Sequence, residues 1–259
     1  MDVGTVLDFV VSGIVWVSMP VKILFAFFIL CFAAAAILVA KRGKRRLYKG
    51  REAWAAAHGL TYMSDEDSAM HERFGEFCGE FSMLNVGENR YAFNIMTGTW
   101  AGAEDKNDTL VGGRRNPEVC AFDYHYTLGS EQQRAHMTFS AVVVACPMPL
   151  KPLFISPEGF FDKFAEHVGA EEIHFESAEF NRAFHVKSSD KRWANALIDQ
   201  RMMEFLLKMP RFHVEFSGTH IMVLSSQFSL EEFSSAIELA CGIVARMPDY
   251  LVREQLGQN

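Results

Sequence analysis

Three side chains in one short stretch have types suited to chemistry: Asp123, His125 and His136. A carboxylate beside two imidazoles can hold a divalent metal or work as an acid–base pair. They act together only if the surrounding residues form paired strands. Glu118–Leu128 and Arg134–Cys146 alternate with a period of two on either side of Gly129-Ser130, which predicts an antiparallel hairpin. With Thr127 opposite Arg134, His125 falls opposite His136 and Asp123 opposite Thr138, while Phe122 meets Phe139 and Tyr124 meets Met137. One face is then polar and the other aromatic, as a half-buried hairpin requires. A slip of two residues keeps both faces, so the pattern sets sidedness more firmly than register. Solvated strand faces also carry such residues without any catalytic role, and no third ligand or nucleophile is identifiable from spacing.

Other motifs fall short of a chemistry. His71-Glu72 lacks the second histidine of a zinc-protease helix. Gly112-Gly113-Arg114-Arg115 has neither the lysine-serine end nor the strand–loop–helix setting of a phosphate loop. The cysteines at 31, 78, 120, 146 and 241 form no CxxC pair and have no zinc spacing, as expected of reduced packing residues. The sequence therefore implies no metal and no cofactor. Trp100, within the glycine-rich segment Gly98–Pro117, is a candidate contact residue, because exposed aromatics anchor interfaces. Its alternative is to end the preceding strand and pack.

The elements around these residues read as an α+β domain of mainly antiparallel sheet with packed helices. Leu47–His58 is a predicted helix stopped by Gly59. Glu80–Val86 and Arg90–Thr97 form a predicted hairpin about Gly87-Glu88-Asn89. After a proline-punctuated stretch, Ser156-Pro157 opens a helix ending at Gly169. Phe184–Lys187 is a short strand, and Asp190 caps one long helix with Trp193, Leu197, Met202, Phe205 and Leu206 facing inward. Phe212–Phe216 and His220–Leu224 pair about Ser217-Gly218. The run Ser229-Leu230-Glu231-Glu232 is a capping box before a helix with Phe233, Ile237, Ala240 and Val244 on one stripe.

Upstream of the domain the chain changes character. Val21–Ala40 is apolar apart from Lys22, and twenty helical residues reach about 30 Å, the hydrocarbon thickness of a bilayer. Residues 21–40 are thus the expected transmembrane helix, and 1–20 a weaker apolar segment that is interfacial or re-entrant. Within the span Ala33, Ala36 and Ala40 form a small-residue face on which another helix can pack. Lys41, Arg42, Lys44, Arg45, Arg46, Lys49 and Arg51 follow directly, a collar suited to anionic headgroups. The positive-inside bias puts the N-terminus outside and the bulk of a single-pass inner-membrane protein in the cytoplasm. Residues 41–58 then form a collar and stalk, and 59–259 the cytosolic domain, with possible subdomains near 59–157 and 158–259.

Charge is segregated along the chain. Residues 1–46 carry a net +4, which leaves −11 of the overall −7 on the remainder. An acidic body excludes nucleic acid as a partner, since phosphate binding needs a clustered basic face.

The span, the KRGKRR collar, the strand motif Phe122-Asp123-Tyr124-x-Tyr126 and the later Glu179-Phe180-x-x-x-Phe184-x-Val186 resemble a loosely defined group of uncharacterised bacterial membrane-anchored proteins. The resemblance implies a membrane-attached domain and no particular activity. Relative to that pattern, Gly98–Pro117 looks like an insertion.

The expected function is a non-enzymatic accessory or scaffold subunit whose cytosolic domain binds another membrane protein. The alternatives are a metal-assisted hydrolase on Asp123, His125 and His136, and a cytosolic-side sensor of lipid or ligand.

Overall fold

A computed structural model of the chain describes residues 29, 30, 32, 50–77, 83–100, 117–157 and 172–257. Residues 50–259 form one compact unit. Of the expected span only Ile29, Leu30 and Phe32 are described; they are helical and exposed. No helix among the described residues is long and apolar enough to cross a membrane.

The domain is a mixed α+β fold built on one eight-stranded antiparallel sheet. Its strands are β1 (Thr61–Met63), β2 (Glu88–Thr99), β3 (Glu118–Leu128), β4 (Ala135–Ala145), β5 (Leu153–Pro157), β6 (Phe184–Ser188), β7 (His213–Ser217) and β8 (His220–Ser225). Their order across the sheet is β1-β2-β3-β4-β8-β7-β5-β6. Because β8 pairs with β4 and β5 with β7, the sheet continues across the suggested boundary near residue 157.

The first helix, α1 (Arg51–Ala57), ends as its sequence predicts. Gly59 sits at φ +71°, and the Leu60 and Gly59 amides donate to the Ala55 and Ala56 carbonyls at 2.8 and 3.2 Å. That paired bonding satisfies the last orphan carbonyls and turns the chain toward β1. A short helix, α2 (Met70–Arg73), precedes two 3-10 turns, Gly75–Phe77 and Met83–Asn85.

The expected hairpin between Glu80–Val86 and Arg90–Thr97 does not form. Met83–Asn85 is a 3-10 turn, and β2 pairs instead with β1 and β3. Gly87 explains the difference: at φ +73° it lies so close to β3 that a Cβ there would sit 2.5 Å from the Thr127 carbonyl oxygen. It is a close-approach glycine rather than a hairpin tip.

Later helices are α3 (Ala178–Ala183), α4 (Lys191–Leu197), α5 (Gln200–Lys208), α6 (Leu230–Ala245) and α7 (Asp249–Gln255). The single helix expected after Asp190 is two. Asp190 accepts from the Trp193 amide at 2.9 Å, but Asp199 accepts from the Met202 amide at 2.8 Å and starts a second helix. An aspartate that competes for backbone donors favours a new start over a helix interior. The capping box of α6 is complete, with the Glu232 amide donating to Ser229 and the Ser229 amide to Glu232. The helix expected from Ser156 to Gly169 lies outside the described residues from 158 onward, and Ser156 and Pro157 themselves end β5.

Both sheet faces are buried in the middle. On one side Trp193, Leu197, Met202, Leu206, Phe233 and Ile237 cover Ala121, Val142, Val223 and Val214. On the other, Met70, Phe74, Met83 and Leu84 close over Phe122, Tyr124, Ala141 and Met222. The sheet is therefore covered twice, where the sequence suggests one wet face for the hairpin.

Candidate functional site

The β3–β4 hairpin carries the candidate residues, and its register is the slipped one. Asp123 pairs with Ser140, His125 with Thr138, Thr127 with His136, and Tyr124 with Phe139. Faces are preserved, as a two-residue shift demands. The observed register sets the Ser140 hydroxyl to donate to Asp123 at 2.6 Å, a contact that the other register forgoes.

Asp123 lies inside the domain, 3% exposed. Asn94 Nδ2 donates to its Oδ2 at 2.7 Å, and Tyr62 donates to Asn94 Oδ1 at 2.9 Å. Asn94 reaches this position from a bulge in β2, at φ +52°, between the pairs Phe93–Asp123 and Met96–Ala121. The Phe228 amide donates to Ser140 Oγ at 3.0 Å, tying the segment before α6 into the same network. Arg51 Nη1 stands 3.1 Å from Asp123 Oδ2.

Arg51 is thus a correction. The sequence reading places it in the membrane-surface collar, yet it is 1% exposed, with its guanidinium 4.7 Å from the centre of the Phe233 ring. Its charge is used against Asp123, where burial leaves few alternatives to pairing. Burial pushes the Asp123 carboxyl upward in pKa, and Arg51, Ser140 and Asn94 pull it partly back. Such a carboxylate fastens α1 to β3 and is closed to a substrate.

The histidines do meet. His125 Nε2 lies 3.1 Å from His136 Nδ1 on the exposed end of the hairpin, with the Tyr91 ring stacked on His125 at 4.6 Å. Asp123 is not with them, because its oxygens face Arg51, Asn94 and Ser140. The three-residue cluster of the sequence reading therefore separates into a buried ionic network and a surface histidine pair. Among the described residues no three metal-ligating side chains converge.

Trp100 is the second correction. It is 4% exposed and stacks on His58 at 4.8 Å and on Trp54 at 5.8 Å, so it belongs to the core and not to a contact surface. Lys41, Arg42, Lys44, Arg45, Arg46 and Lys49 lie outside the described residues, as do Ala33, Ala36 and Ala40.

Two further arrangements lie outside the residues singled out from the sequence. Glu76 and His220, far apart in the chain, pair through Oε1 and Nδ1, with the Thr219 amide also directed at Glu76. His220 lines an open cavity of about 440 Å³ together with Arg73, Phe74, Thr97 and Cys120. Burial pushes the Cys120 thiol up to about 12 and His220 downward, so neither an activated thiolate nor a charged imidazole faces this space at neutral pH. The second arrangement is on β7, where His213 and Glu215 are buried on one strand face and His213 Nδ1 is 3.1 Å from Ser156 Oγ. A glutamate inside the apolar run Val214-Glu215-Phe216 was the available clue.

No protein-family model and no curated protein matches the sequence. Among solved structures, the chain is similar to the crystal structure of the mycobacterial trehalose monomycolate transport factor A, TtfA. The TM-score is 0.55 at 15% identity, covering 79% of this chain and 97% of that one. The two share a fold.

Proposed function

We propose that the chain is a membrane-anchored accessory subunit whose α+β domain, on the cytoplasmic face of the inner membrane, binds another membrane-associated protein. The observation that carries this reading is the use made of Arg51 and Asp123. The carboxylate best placed by type for catalysis is spent on holding α1, the first helix after the collar, to the centre of the sheet. A domain whose root is secured this way suits a part that must be held at a membrane. The fold shared with a trehalose monomycolate transport factor adds support for work beside a transport system. The apolar residues 21–40 and the basic residues 41–49 supply the anchor and its anionic-lipid contact.

The test is protease treatment of sealed membrane vesicles of both orientations, with antibody detection of the C-terminal region. The domain is digested in inverted vesicles and protected in right-side-out ones, and the chain stays with the membrane in alkaline carbonate. Release by carbonate, or digestion from the outside, overturns the reading.

A further inference from the structure

We propose that His125 and His136 form a surface chelate for a divalent zinc ion, with the remaining coordination positions left to water. The site uses the two histidines of the expected cluster and not Asp123, whose oxygens face Arg51, Asn94 and Ser140.

Four features build it. First, the spacing suits a metal. Two imidazole nitrogens on one zinc at about 2.0–2.1 Å each stand roughly 2.9–3.4 Å apart, depending on the angle at the ion. His125 Nε2 and His136 Nδ1 are 3.1 Å apart. Second, the tautomer of His125 is set. Its Nδ1 is 3.3 Å from the Asn89 carbonyl oxygen, so Nδ1 carries the proton and donates, leaving a lone pair on Nε2. A backbone carbonyl that accepts from the far ring nitrogen is a usual partner of a metal-bound imidazole.

Third, that carbonyl is itself held in place. Asn89 sits at φ +49° after Gly87, and its Nδ2 donates to Thr127 Oγ1 at 3.0 Å, while Thr127 Oγ1 donates to the Glu88 carbonyl at 3.1 Å. Fourth, the rings are positioned before any ion arrives. Tyr91 stacks on His125, and both histidines project from paired strands of one sheet. Without metal, His136 Nδ1–H donates to His125 Nε2. With metal, the His136 proton resides on Nε2, and both facing nitrogens offer lone pairs. The proton stays on His136 and only changes nitrogen.

Nitrogen donors select a borderline ion over magnesium or calcium, which prefer oxygen. The exposed end of the hairpin, where His136 is open to solvent, leaves the remaining positions available to ligands from outside the chain.

The experiment is calorimetric titration of zinc chloride into chelator-treated full-length protein in detergent micelles. One saturable site is expected, and His125→Ala and His136→Ala each abolish it, while His185→Ala leaves it unchanged. His185, paired with Glu172 at 2.5 Å, is the competing imidazole–carboxylate position and hence the control. Histidine-selective nuclear magnetic resonance of the unsubstituted protein supplies a readout independent of variant folding: zinc shifts the His125 and His136 imidazole signals and not that of His185. Absence of saturable binding, binding that survives both alanine variants, or shifts confined to other histidines overturns the proposal.

Discussion

Arg51 and Asp123, 72 positions apart, face each other 3.1 Å apart in the interior of the domain, each under 5% exposed as a residue. Removing one partner leaves the other charged and buried, which costs about 3–5 kcal/mol. Asp123→Asn and Arg51→Met are therefore each strongly destabilising. The double variant Arg51→Met/Asp123→Asn recovers part of the loss, because neither charge is then stranded. Urea unfolding of the four proteins, arranged as a double-mutant cycle, measures this. Equal and additive losses would contradict the pairing.

Histidine 213 and glutamate 215 give opposed pH dependences. Burial lowers His213 to about 3, so the folded state binds fewer protons than the unfolded state from the ordinary value of 6.5 down to about 3. The stability contributed by His213 is full above 6.5 and declines as pH falls. Burial raises Glu215 well above 4.5, so its contribution declines instead as pH rises from there toward its folded value. Between 4.5 and 6.5 the two slopes oppose, each limited to about 1.4 kcal/mol per pH unit. His213→Phe is predicted to expose a stability that falls with rising pH in that window. Glu215→Gln exposes one that rises. Thermal or urea unfolding at half-unit pH steps checks both signs.

Trp100→Ala distinguishes a packed tryptophan from a contact residue. Truncating a buried aromatic ring packed against His58 and Trp54 costs about 3–5 kcal/mol. The tryptophan emission of the folded protein is also expected to change, since Trp54 loses its neighbour. An exposed anchor would give a stability within about 0.5 kcal/mol of the parent.

Elements with local signals were legible in the sequence. Strand β3 matches Glu118–Leu128 in full, and the capping box at Ser229 and the stop at Gly59 are where the residue types put them. Those signals act over four or five residues. The register of β3 against β4 was not legible, because a two-residue slip keeps every side chain on its face, and the Ser140–Asp123 contact that goes with the observed pairing has no local signature.

Burial of Arg51 was hidden for a different reason. It follows six bases in nine positions, Lys41 to Lys49, and charge type alone cannot tell the one that turns inward. The partners that capture it, Asp123 and the Phe228 carbonyl, arrive from distant segments. Strand β5 was obscured by Pro149, Pro152 and Pro157 around a run of only four apolar or small residues, yet it sits between β7 and β6. Of the candidate site, the meeting of His125 and His136 was legible from period-two alternation, while the departure of Asp123 depended on α1 and β2.

The central claim is that this chain works as one part of a membrane assembly. Its most direct test is the composition of the full-length protein extracted in mild detergent, by native mass measurement. The account predicts one species that joins this chain to a second integral membrane protein in a fixed ratio across preparations and on dilution. A homogeneous, stable monomer under the same conditions would contradict it.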